Sequence, residues 1–267
     1  MSRHLERMAR LVVAAGGEVS EGLFVERPGV RLIAATALTP EARALFDDML
    51  IDTARPDYEQ LAELNSRITY LSFRDRAEVE PGSPGPAARP SSEAFNRKMV
   101  EELGHLSVHS AQGVTFLIAG ISVETCQELV AHHEGKVARL TSSRTRAMDR
   151  PLFRVQGPPA ARAIQRQQIK DALFDGLEDD GSDADLDDRE WRNRLLPGAK
   201  AVALTWTMSI KDFHKTFIGR LSQHGVEFEV REVCEMVCAE LHARYPLVIK
   251  APAAYYAMGN AAKYEGD

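Results

Sequence analysis

The sequence predicts a single α/β domain. Apolar runs rich in β-formers alternate with stretches whose apolar residues recur at helical spacing, and neither an internal repeat nor a domain boundary interrupts the 267 residues. The domain is read as residues 1–267, with surface insertions near 79–92 and 175–190.

After a short mobile start, "GVRLIAATAL" (29–38) reads as a strand leading into a helix. That helix, "TPEARALFDDML", has Thr39 as N-cap and Pro40 in its first position, where a missing N–H costs nothing. "DYEQLAELNSR" continues as helix, and "ITYLSF" (68–73) is apolar and aromatic enough for a strand. "VEPGSPGPAARPSS" (79–92) is a Pro/Gly/Ser loop, and Ser91 or Ser92 caps the next helix, which stops at Gly104. "GVTFLIAG" (113–120) is a strand, followed by the helix "SVETCQELVAHH" with Ser122 as N-cap. Residues 158–175 form an amphipathic helix, and the acidic run 175–188 is a solvated loop. "KAVALTWTMS" (200–209) reads as a strand and 210–221 as a helix. Residues 226–245 form the longest helix, and "PLVIKA" closes the fold as a strand or turn.

A hydrophobic fraction of 44% and a charged fraction of 27% are those of an ordinary soluble globular protein. The net charge of −6 argues against coating nucleic acid or an anionic membrane, so neither is expected as a partner. The apolar stretch near the N-terminus is too short and interrupted for a signal peptide, no run approaches a membrane span, and a cytoplasmic location is expected. Three cysteines without CxxC spacing read as reduced thiols; Cys234 and Cys238 share a helix face and are taken as small hydrophobes, not half a metal site.

Dinucleotide, P-loop, zincin and nucleophile-elbow patterns are absent. The densest chemistry lies in "ELVAHHEGKVARLTSSRTRAM" (128–148). Its adjacent His132 and His133 point about a quarter-turn apart on a helix and lack a surrounding carboxylate trio, so no metal is expected. Thr141, Ser142, Ser143 and Arg144, beside Lys136, Arg139 and Arg146, suit an anion such as phosphate; an ordinary exposed polar loop fits the same residues equally well.

The segment "ISVETCQELVAHHEGKVARLTSSR" resembles the signature of the flavin-dependent thymidylate synthases, a helix ending ELV-Arg-His-Arg, then seven residues, then Ser-x-Arg. ELV stands at 128–130, His132 keeps its place, and Ser142-Ser143-Arg144 follows with one extra residue in the gap. "GHLSVHS" (104–110) is similar to the family's Gly-His-x-Thr-Pro-Phe-x-His turn, "RLLP" (194–197) to its Arg-x-Val-Leu-Pro element, and "HGVEFEVRE" (224–232) to its His-Ala-Gln-x-Glu-Ile-Arg stretch. Pro197 and Arg220 are spaced as the family spaces that proline and its uracil-binding arginine. The blocks run in the family's order over residues 65–245. The departures are Ala131 and His133 in place of two arginines, Asn193 between Arg192 and Arg194, and Ser209 and Lys211 in place of an asparagine and an arginine. Replacing an arginine by alanine removes a forked donor that other groups must restore.

The resemblance implies a mixed, largely antiparallel sheet flanked by helices, and C5-methylation of a uridylate (UMP, dUMP or both). Methylenetetrahydrofolate would give the carbon and NADPH-reduced FAD the hydride. It implies that Arg220 is catalytic, binding the uracil edge and stabilising charge on the ring. Ser142, Ser143, Arg144 and Arg194 would hold the nucleotide phosphate, and Glu128 would sit near the sugar. His105, Ser107, His132, His133, Lys211 and His224 would contact flavin. A homotetramer with shared active sites is implied. The altered arginines suggest a specialised uridylate methylase of the polyoxin-type, nucleoside-antibiotic kind. Three rival readings accompany it: an inactive flavin- or nucleotide-binding relative, a metal-dependent phosphate-ester hydrolase using the His pair, and an interaction protein whose acidic loop recruits a basic partner.

Overall fold

The computed structural model describes residues 3–48, 51–70, 92–131, 136–138, 152–174 and 198–264. The chain opens with helix α1 (Arg3–Ala14), strands β1 (Glu18–Ser20), β2 (Phe24–Arg27) and β3 (Gly29–Ala35), then helices α2 (Pro40–Asp48) and α3 (Asp57–Tyr70). Helix α4 (Ser92–Arg97) runs into a π-turn at Lys98–Glu102, and a 3-10 turn at Leu106–His109 leads to β4 (Gly113–Ser122) and α5 (Val123–Ala131). Strands β5 (Lys136–Ala138) and β6 (Phe153–Arg154), helix α6 (Pro159–Phe174) and strand β7 (Ala201–Ser209) follow, then α7 (Ile210–Ser222), α8 (Phe228–Arg244) and α9 (Pro252–Tyr264).

The strands form two sheets, not one. The larger has the order β3-β4-β7-β5 and is antiparallel throughout; the smaller, β1-β2-β6, carries the parallel pair β2–β6. The expected mixed, largely antiparallel character holds across the two. Burial follows from how they are covered. β4 starts with alternating buried residues, Val114, Phe116 and Ile118, and is then buried at every position to Ser122. β7 mirrors this, buried throughout Ala201–Leu204 and alternating afterwards. One sheet face carries α7 and α8, with Trp206, Phe116 and Phe213 meeting edge-to-face. The other is covered at the Ala119–Ala201 end by α1 and the small sheet, through Leu5, Val12, Val25 and Leu152. At that crossing Gly120 forms a bulge with φ 85°, and a Cβ there would press on the Val25 side chain.

Local signals act as expected in several places. Thr39 Oγ1 accepts from the Ala42 amide, and Ser122 Oγ accepts from the Thr125 amide, capping α2 and α5. The strand expected at 68–73 is overturned where it is described. Residues 68–70 complete α3, with Thr69 Oγ1 donating to the Asn65 carbonyl and Ile68 left exposed, and the rest of that run lies outside the described residues. The mobile start is α1 and a hairpin, ordered because Leu5, Val12 and Ala15 find a core. "PLVIKA" is a turn, with the Val248 and Ile249 amides both donating to the Tyr245 carbonyl. Both proposed insertions lie largely outside the described residues. Among the described residues no helix is long and apolar enough to cross a membrane.

A buried ion pair ties the layers together. Glu229, in the first turn of α8, accepts from the Ser122 amide (3.0 Å), Thr125 Oγ1 (2.8 Å) and Arg154 Nε (3.0 Å). Arg154 also donates to the Val25, Glu26 and Val155 carbonyls and to Glu232. Replacing one partner strands the other charge in the interior. Arg154→Met is expected to cost about 3–5 kcal/mol of unfolding free energy, measured by urea denaturation. Gly259 gives a second check: a Cβ there would collide with the Ser222 backbone where α9 crosses α7. Gly259→Ala is expected to lower the urea midpoint despite alanine's better helix propensity.

Candidate functional site

Arg220 ends α7 and Glu128 lies on α5, 92 residues apart in sequence, yet Arg220 Nη1 donates to Glu128 Oε1 at 2.9 Å. Both side chains are mostly sheltered, with exposures of 16% and 21%. The pairing follows from topology. β4 ends at Ser122 beside Ala201 of β7, α5 starts there, and α7 runs back from the far end of β7 to reach the same place. Glu124 lies one turn before Glu128 on α5, and Glu227 immediately precedes α8. Partial desolvation, and then the charges of Glu128, Glu124 and Glu229, raise the Glu227 carboxyl above the usual range. The arrangement therefore pairs one guanidinium with the Glu128 carboxylate, beside a group of carboxylates that act on one another. It can present N–H groups to a carbonyl oxygen whose charge grows during a reaction. His224 is exposed between α7 and α8 at this end.

The other described candidates lie at the opposite end of the β4–β7 pair. His105, half-buried, precedes the 3-10 turn, and Ser107 is exposed within it. The turn is fixed from α3, where Asn65 Nδ2 donates to the Val108 carbonyl at 2.8 Å. The Ile210 amide donates to the Gln112 carbonyl at 2.9 Å, which brings the start of α7, and with it Lys211, to the same end. Ser209 caps α7: its hydroxyl accepts from the Asp212 amide and donates to the Asp212 carboxylate. Lys211 and Arg220 stand nine positions apart on the helix, about 14 Å along the axis. One chain thus divides the described candidates into two groups instead of gathering them in one pocket. Ser142, Ser143, Arg144, Arg194, His132 and His133 lie outside the described residues.

Sequence reading missed two histidines beside the turn, His109 buried and His214 half-buried. Gln112 Nε2 donates to the Tyr58 carbonyl, so its Oε1 is the acceptor facing His109 Nδ1 at 2.9 Å. His109 Nδ1 therefore carries the proton, and its Nε2, buried and without a partner among the described residues, is a bare lone pair. His214 on α7 packs edge-on against Tyr255, and its Nδ1 is likewise buried without a partner. Burial lowers both pKa values, with Gln112 and Glu59 acting the other way on His109; Lys250 and His109 add to the effect on His214, which falls to about 4. The available signal was that each follows an apolar residue, Val108 and Phe213. Cys234 and Cys238 are wholly buried, and burial pushes each thiol up to about 12. Among the described residues no group of three or more His, Cys, Asp or Glu is placed to hold a metal ion.

Residues 49–247 match the family model described as thymidylate synthase complementing protein. None of the curated proteins compared with the sequence matches it. The fold is similar to that of thymidylate synthase X from Helicobacter pylori in two crystal structures, each holding FAD and dUMP. One aligns with a TM-score of 0.52 at 13% identity, covering 83% of this chain and 96% of that one. The other aligns with a TM-score of 0.54 at 11% identity, covering 83% and 97%.

The two depressed histidines set a pH dependence. Above about pH 6.5 both rings are neutral folded or unfolded, and the stability is fully present. Below it the unfolded chain takes up protons that the folded chain refuses until about pH 4 at His214, so stability falls across that window. The urea midpoint is expected to drop between pH 6.5 and 4.5, and His214→Phe to flatten that drop; an unchanged slope would remove His214 as its source.

Proposed function

The chain belongs to the thymidylate synthase complementing protein family, the flavin-dependent thymidylate synthases, and from that membership we propose that it methylates C5 of a uridylate nucleotide. Methylenetetrahydrofolate is the carbon donor and NADPH the reductant. The observation that carries the reading is Arg220, held by Glu128 at the end of α7, at the family's distance from Pro197.

Arg220 takes the uracil carbonyl edge and stabilises the negative charge that develops on the ring. Ser142, Ser143, Arg144 and Arg194 take the phosphate, and the Glu128 carboxylate lies toward the sugar. FAD, when bound, supplies the hydride that completes the methyl group. The donors toward it suit an anionic cofactor: the Lys211 ammonium in the first turn of α7, the exposed Ser107 hydroxyl and His105. His224, exposed near the Arg220 end, and by the resemblance His132 and His133 complete the flavin contacts. Since Ser209 is committed to its helix cap and to Asp212, Lys211 carries that corner's interaction with the cofactor.

The separation of Lys211 from Arg220 supports active sites shared between chains of a homotetramer. The departures at Ala131 and His133 support a specialised enzyme, of the polyoxin-type class, that accepts UMP as well as dUMP. A cytoplasmic setting, where reduced folate and NADPH are found, completes the reading.

Two experiments test it. Tritium release from C5-labelled dUMP and UMP, with FAD, NADPH and methylenetetrahydrofolate supplied, is expected to depend on the folate. Absence of release despite bound flavin would leave a nucleotide or flavin binder without turnover. For the shared site, Lys211→Ala and Arg220→Ala chains are each expected to be impaired, and co-assembled chains to recover part of the activity. No recovery in confirmed mixed oligomers would place each site within one chain.

A further inference from the structure

We infer that Glu128 is the positioning residue of Arg220, fixing the plane of its guanidinium before substrate arrives. The inference rests on the uridylate reading and deepens it. A long arginine side chain at the end of a helix is free to sample many rotamers. Here one carboxylate oxygen holds Nη1 at 2.9 Å, from an element 92 residues away in sequence. Because the guanidinium is planar, fixing Nη1 also fixes the directions of the N–H groups on Nη2 and Nε. Both partners are mostly sheltered, so the bond is less screened than a surface pair. Glu229 cements the support beneath it by tying α8 to the start of α5, the helix that carries Glu128. Among the described residues Glu128 is the carboxylate paired with Arg220, so its loss releases the fork from the bond that orients it.

Orientation matters most when charge builds on the ring oxygen, since an N–H already aimed at that oxygen strengthens its bond in the transition state without reorganisation. Glu128→Ala is therefore expected to lower kcat on the order of ten- to a hundredfold, by the same factor for dUMP and UMP, with a smaller change in KM. Glu128→Gln keeps an acceptor oxygen and is expected to recover most of the rate. In an Arg220→Lys background, Glu128→Ala is expected to add little further loss. A rise in KM at constant kcat, unequal between the two sugars, would make Glu128 a sugar contact and overturn the proposal; so would a fully additive loss in the Arg220→Lys background. A readout on the resting protein separates this proposal from the function it rests on. By nitrogen NMR, rotation of the Arg220 guanidinium is expected to be slow in the wild type and Glu128→Gln and fast in Glu128→Ala. Absent folate-dependent turnover would defeat the uridylate reading, whereas unaltered guanidinium rotation in Glu128→Ala would defeat the positioning role.

Discussion

The buried carboxylate of Glu229 is the point on which the rest of the structure depends. It stands at the start of α8 and gathers the end of β4, the first turn of α5 and, through Arg154, the small sheet. A buried pair of this kind is justified energetically only when the remaining donors and acceptors are also satisfied. Arg154 meets that condition by donating to three backbone carbonyls and to Glu232. The pair therefore specifies where two sheets and two helices meet as much as it stabilises them.

The geometry around Arg220 follows from this junction. With α5 and α8 anchored on one side and α7 packed along the sheet through Phe213 and Phe217, the end of α7 has one place to go. Glu128 is waiting there. The same helix serves as a spacer, carrying Lys211 at one end and Arg220 at the other, so its length sets their separation.

The departures from the family pattern acquire a physical context. Ser209 replaces an amide side chain and spends its hydroxyl on capping α7 and on Asp212. Glu128 and Glu124 both add to the desolvation that raises the Glu227 carboxyl, so α5, which ends at Ala131, is locally acidic. Ser142, Ser143, Arg144 and Arg194 lie outside the described residues.

Periodicity and punctuation were enough for β3, β4, β7, α2 and α5 to α8, because apolar spacing, Thr39, Ser122 and Gly104 act over a few residues of chain. They were also enough to mark Glu128 and Arg220, whose positions in the ordered motif blocks are local in sequence. Short strands such as β1, β5 and β6 were not legible, since a two- or three-residue strand is defined by its partner and carries no period of its own. Residues 68–70 misled for the same reason: β-prone side chains were carried into a helix by the packing of α3. Arg154 in "LFRV" and Glu229 in "FEVRE", charges set among apolar neighbours, hinted at a buried pair, but their 75-residue separation hid the partnership. The sequence by itself determined the elements, the family motifs and the candidate chemistry, all of which depend on near neighbours. Only the tertiary structure decided that the strands split into two sheets, that Glu229 joins them, and that Glu128 meets Arg220 while Lys211 stands apart, because those outcomes depend on contacts between segments that the chain keeps far apart.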